Sequence, residues 1–141
     1  MRTVIRNATV LDTSTMAFGD PSTVVVDQGV IVDADDDGGA DGDLIVDAHG
    51  AYLLPGLIDA HVHFRLSTFD FRALAQWTEV EFGIVMAQLA AATVERGYTT
   101  VRDLGGDVTG LMRAIAAGRT LGPRIVRAGR MITQTGGHGD A

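Results

Sequence analysis

Cysteine and lysine are both missing from these 141 residues. Without cysteine there can be no disulfide and no thiolate metal site. That absence fits a reducing compartment, so a cytoplasmic location is expected. Every cation apart from histidine is an arginine, and 11 of them face 18 acidic residues, for a net charge of −7. Phosphate recognition needs clustered cations, so a nucleic-acid partner is not expected. Arg119, Arg124, Arg127 and Arg130 are close in sequence, but Gly, Pro and apolar residues interrupt them, and they read as solvated strand flanks. Long apolar runs are lacking too. No stretch approaches the roughly 18 residues of a membrane span. Met1 to Asn7 has neither the apolar core nor the cleavage site of a signal peptide. What remains, 46% apolar and 21% charged residues, is ordinary for a soluble globular protein.

The chain changes character at Pro55-Gly56. Before it, Thr3–Leu11, Thr23–Val26, Val30–Val32, Leu44–Val46 and Ala51–Leu54 read as short strands separated by turn residues. Residues 1–55 are therefore expected to form part of a small β-sandwich. After it, Leu57–Phe64 is an apolar run expected to be a buried strand. A helix follows, with Ser67 or Thr68 as its cap and Phe82, Val85, Met86, Leu89 and Thr93 along one stripe. Gly97 marks its end. Tyr98–Arg102 is a second strand. Asp107 is placed to cap a helix over Val108–Ala117, and Ile125–Ile132 is a third strand. The order β, α, β, α, β over residues 56–141 implies parallel strands joined by helical crossovers. The fold class is α/β: the first three strands and two helical crossovers of a (β/α)8 TIM barrel, preceded by strands of a composite β-sandwich. Three strands make about three-eighths of such a barrel.

The chemistry centres on His61 and His63. A spacing of two on a strand puts both side chains on one face. If that face looks into a barrel near the strand's C-terminal end, two imidazoles converge where parallel barrels place their active sites. Neutral imidazole is a common ligand for cations such as Zn²⁺. Asp59 lies two residues earlier and is placed to accept a hydrogen bond from behind the pair. A bare His-x-His is more often one packed and one exposed histidine. An apolar strand after Pro-Gly inside an α/β pattern favours the metal reading.

Pro55-Gly56-Leu57-Ile58-Asp59-Ala60-His61-Val62-His63 closely resembles the first barrel strand of the amidohydrolase superfamily. Gly97 through Gly106 is similar to that family's second strand and turn. Gly122-Pro123-Arg124 through Gly136-Gly137-His138-Gly139-Asp140 resembles the branch that holds imidazolonepropionase-like enzymes and Xaa-Pro or Xaa-Arg dipeptidases. The resemblance implies a hydrolase that cleaves a carbon–nitrogen bond with a metal-activated hydroxide. Its cofactor would be zinc, as one or two divalent ions, with His61 and His63 as ligands. Its substrate would be a small amide or dipeptide, with a cyclic amide as the alternative. The family's further ligands, a lysine, two histidines and an aspartate, have no counterpart in these residues, so the chain reads as an N-terminal portion and is expected to be inactive alone. A truncated scaffold relative without activity is the competing reading. A homo-oligomer at full length stays open.

His138 lies in a Gly-rich loop after the third strand, and the same resemblance implies that it faces the substrate carbonyl. Asp103 ends the second strand and reads as a helix cap or as the partner of Arg102 or Arg130, with ligand orientation as the other possibility. His49 reads as a surface turn residue. Phe69, Phe71 and Trp77 read as packing residues. Asp33-Ala34-Asp35-Asp36-Asp37-Gly38 imitates the start of a calcium loop, but position twelve is Leu44 where a bidentate Glu is required, so a solvated loop is expected.

Overall fold

The structure is a computed structural model that describes residues 2–32, 41–129 and 132–137. The chain divides into two compact units, Met1–Pro55 and Gly56–Ala141.

The first unit is built around one long strand, β1 (Arg2–Asp12). It pairs antiparallel with β2 (Ala17–Phe18) and β3 (Ser22–Asp27), and parallel with β5 (Leu44–Asp47) and β6 (Tyr52–Leu53). The short β4 (Val30–Val32) extends the sheet from β3. One strand serves this many partners because its register breaks between Ile5 and Ala8. Asn7 sits there with φ of 55°, a conformation asparagine tolerates better than most residues. Its side chain donates to Asp47 Oδ1 at 3.0 Å. Before the bend β1 pairs with β3 and β5; beyond it Ala8 still pairs with Ser22 of β3 and the rest of the strand pairs with β2 and β6, and the sheet curls open into a half-barrel. Val4, Ala8 and Val25 are fully buried in it. Residues 33–40 of the calcium-loop look-alike lie outside the described residues; Leu44 begins β5.

The second unit is a parallel sheet of β7 (Leu57–Val62), β8 (Tyr98–Asp103) and β9 (Arg124–Arg127), in that order. A short helix, α1 (Phe71–Leu74), and a long one, α2 (Glu79–Glu95), connect the first two strands. Helix α3 (Thr109–Ala116) connects the second and third. Phe82, Met86 and Ala90 of α2, Val108 and Leu111 beside or in α3, and Val101 and Ile125 of the sheet form one core with Phe64 and Leu74. A fully buried valine such as Val101 contributes roughly 1.5–3 kcal/mol from burial. This is the α/β fold expected, the first strands and crossovers of a barrel of the (β/α)8 kind.

Several boundaries differ from expectation. The long helix starts at Glu79, not near Ser67 or Thr68. Thr68 Oγ1 instead accepts from the Asp70 N–H at 3.1 Å, and Asp70 caps α1. The cap of α2 is Thr78, whose hydroxyl accepts from the Glu81 N–H while Glu81 accepts from the Thr78 N–H at 2.7 Å. Gly83 lies inside α2 without ending it, and Gly97, with φ of 91°, follows its C-terminus as expected. Asp107 is not the cap of α3: the N-cap is Val108, which makes no side-chain cap bond, and Asp107 accepts from the Thr109 N–H at 2.9 Å just ahead of the helix. The third strand covers Arg124–Arg127 only; residues 130 and 131 of its expected span lie outside the described residues. Nor is β7 buried: Leu57 is 49% and Ile58 71% exposed. It is an edge strand of the described three-stranded sheet.

Candidate metal centre

His61 and His63 stand at the C-terminal end of β7, the first of the three parallel strands. Their placement depends on an irregularity in the ladder. Asp59 is opposite Val101 and Val62 is opposite Asp103, so three steps along β7 match two along β8. The extra residue frees the Ala60 carbonyl, which accepts from Arg102 Nε at 2.8 Å. A bulge of this kind re-aims the side chains that follow it. It also breaks the alternation between Asp59 and His61. The Asp59 carboxylate therefore accepts from the His61 backbone N–H at 3.0 Å instead of from an imidazole ring.

The two rings meet edge to face, with an interplanar angle of 79° and centroids 5.1 Å apart. Their Nε2 atoms point at one another across 3.3 Å. As a direct hydrogen bond that is long, since N–H contacts cluster at 2.7–3.2 Å. It matches a shared cation better: two nitrogens bound to one tetrahedral zinc stand about 3.3–3.4 Å apart, given the usual zinc–imidazole bond. The donor set thus fits a divalent metal on one side. It does not enclose one, for among the described residues no three His, Cys, Asp or Glu side chains group closely enough to hold a metal ion. His61 is exposed and His63 half-buried. Nδ1 of His63 is itself buried and has no hydrogen-bond partner among the described residues.

The loop after His63 is anchored twice. Arg65 makes a two-pronged ion pair with Glu79 at the start of α2, at 2.6 and 3.0 Å, and its guanidinium lies 4.1 Å from the centroid of the Phe82 ring. The hydrogen bonds from Arg65 hold the Glu79 carboxyl below its usual range. Asp103, only 1% exposed, accepts from the Phe64 N–H at 2.8 Å and the Gly105 N–H at 3.0 Å. This corrects the expectation of a helix cap or of Arg102 as the partner, since Arg102 bonds to the Ala60 carbonyl; Arg130, the other expected partner, lies outside the described residues. The strand ends under a packed loop, and the bare backbone donors there take both carboxylate oxygens. Neither the Asp103 clamp nor the Arg102 bond was anticipated. The only sequence signal was an Arg-Asp pair closing a strand just before Gly105-Gly106.

The remaining candidates fall elsewhere. His49, with φ of 49° and its side chain 84% exposed, is a surface turn residue 3.4 Å from Asp47. Trp77 packs against Phe82 at 5.4 Å between centroids, whereas Phe69 is 96% exposed. His138 lies outside the described residues.

The parallel strand–helix unit that carries the two imidazoles falls in the part of the chain that matches known proteins. Residues 52–141 match the Amidohydrolase family, and the chain belongs to it. Ochratoxinase of Aspergillus niger is 33% identical over 91 residues, covering 62% of this chain and 19% of that protein. A dihydroorotase of Thermoanaerobacter sp. (strain X514) is 36% identical over 103 residues, covering 72% and 20%. The crystal structure of a prolidase complexed with N-methylphosphonate-L-proline superimposes with a TM-score of 0.87 at 34% identity, covering 99% of this chain and 35% of that one. The chain therefore spans about a fifth of the length of the first two relatives and about a third of the prolidase.

Proposed function

We propose that His61 and His63 supply two ligands to a divalent metal, zinc foremost, in an amidohydrolase centre, and that the 141 residues alone do not turn over substrate. The observation that carries this is the 3.3 Å approach of the two Nε2 atoms at the end of the first parallel strand. A zinc site takes three or four protein ligands, and no third joins the pair among the described residues. The chain is then a ligand-bearing part of a catalytic barrel and not a working one. A bound metal supplies Lewis acidity and a nucleophile at neutral pH. The contribution of this chain is to hold the two imidazoles converged and to fix the loop beyond them.

The substrate class favoured is a dipeptide-like amide, supported by the similarity of nearly the whole chain to a prolidase. His138 is proposed, on the Gly136-Gly137-His138-Gly139-Asp140 pattern alone, to face the substrate carbonyl. No described helix is long and apolar enough to cross a membrane. The cytoplasmic location expected from the lack of cysteine remains a proposal.

The test is zinc content after dialysis, by elemental analysis, of the 141-residue chain and its His61→Ala and His63→Ala variants. Loss of zinc in both variants is expected. Equal zinc in all three overturns the ligand assignment, and dipeptide hydrolysis by the unmodified chain overturns its inactivity.

A further inference from the structure

We propose that Asp103 is a positioning residue for His63, and that it works with Gly105 as a clamp which sets the imidazole ring for metal binding. The inference rests on the reading of His63 as a ligand. Metal-binding histidines usually have the ring nitrogen remote from the metal tied to a carboxylate or carbonyl. His63 lacks that tie among the described residues, because its Nδ1 is buried without a partner. Among the described residues the ring is held in another way.

The neighbours of His63 on both sides are fastened to the end of β8. Ahead of it, the Val62 carbonyl accepts from the Leu104 N–H at 3.0 Å. Behind it, the Phe64 N–H donates to Asp103 Oδ2 at 2.8 Å. The other oxygen of Asp103 takes the Gly105 N–H at 3.0 Å. One buried carboxylate therefore links the backbone that carries the ring to the backbone that the ring rests on. Gly105 supplies the resting surface. A Cβ there would stand 2.8 Å from His63 Nδ1 and 3.2 Å from Cε1, closer than the ring can accept. Among the described residues, steric support from Gly105 orients the ring where no hydrogen bond does.

A carboxylate suits this role because both oxygens accept. Asparagine offers one acceptor and would turn an N–H₂ toward a backbone N–H. A buried group that only stabilised the fold would affect unfolding and nothing else. A positioning group must also move the ring.

The experiment uses the 141-residue chain, zinc chloride and three variants: Asp103→Asn, Gly105→Ala and Val101→Ala. Val101 is fully buried in the same strand and touches neither histidine by hydrogen bond, so it reports plain destabilisation. Calorimetric titration should show zinc binding weakened about ten- to a hundredfold in Asp103→Asn and Gly105→Ala, the range for groups that orient a ligand. Val101→Ala should bind as the parent does, despite a lower melting temperature. In parallel, NMR of the metal-free proteins should show a ring-to-ring contact between His61 and His63 in the parent and its loss in the two clamp variants. Parent-like zinc affinity in Asp103→Asn overturns the proposal. Should that variant fail to fold, Gly105→Ala, which removes no hydrogen bond, decides by the same criterion. If the parent binds no zinc, the ligand reading falls. The NMR comparison then decides the clamp alone: loss of the ring contact supports it, and retention overturns it.

Discussion

The side chain of Arg102 reaches across from β8 to the main chain of β7, where its Nε donates to the Ala60 carbonyl at 2.8 Å. That carbonyl is free because β7 carries an extra residue between Asp59 and Val62. The arginine thus fills the gap in the ladder, one residue before the first imidazole. Arg102→Met keeps much of the side-chain length and removes the donor. It should lower stability by about 1 kcal/mol, the usual net value of one hydrogen bond, measured as a shift of the urea midpoint. An unchanged midpoint would mean that solvent satisfies Ala60 equally well.

Much of this architecture was legible in the residues, and what was not has physical causes. The β, α, β, α, β order follows from periodicity: of the expected stripe on α2, Phe82 and Met86 are buried and Val85, Leu89 and Thr93 half-buried, while Ala90, outside that stripe, completes the buried face. The start of α2 was misplaced because Ser67 and Thr68 are good caps by type. The better signal, Thr78-Glu79-Val80-Glu81, has the spacing of a reciprocal cap. The burial of β7 was overestimated because apolar composition says nothing about whether a strand's second face is covered. At the site, a spacing of two brought His61 and His63 together. The same rule misassigned Asp59, because a bulge cannot be read from alternation. The role of Asp103 depends on contacts 39 residues apart in sequence, with Phe64, which no local pattern encodes.

The reciprocal cap at Thr78 and Glu81 has a measurable consequence. Both partners satisfy backbone donors that a helix start would otherwise leave bare. Thr78→Ala should cost about 1 kcal/mol by thermal or urea unfolding, whereas Thr78→Ser should cost much less. Equal losses for both would show that the methyl group, not the hydroxyl, matters there.

Asp12 sets a pH dependence in the first unit. The Ser14 hydroxyl donates to Oδ1 at 2.7 Å and the Ser14 N–H at 2.8 Å, and the Thr15 hydroxyl donates to Oδ2 at 2.9 Å. These bonds favour the ionised form and bring its pKa down from 3.8 to about 2. A folded pKa below the unfolded one means that the stabilisation is complete above about pH 4 and fades as pH falls toward 2. Carboxyl-carbon NMR titration should place Asp12 lowest in the parent and closer to 3.8 in Ser14→Ala. The same midpoint in both proteins would sink the attribution to Ser14.

On the proposed zinc reading the pair supplies two of about four ligands, so its two members should act as a unit. With one imidazole gone, the other can hold zinc only as a single donor, which gives little affinity above that of any exposed histidine. His61→Ala and His63→Ala should each remove nearly all specific zinc binding, and the double variant should be scarcely worse, a strongly non-additive pattern. Stability carries the same signature. Zinc at a hundred times its dissociation constant should raise the unfolding free energy of the parent by about 2.7 kcal/mol, and of neither variant. Effects that simply added in the double variant would mean two independent weak sites, and the 3.3 Å approach of the Nε2 atoms would then be no shared centre.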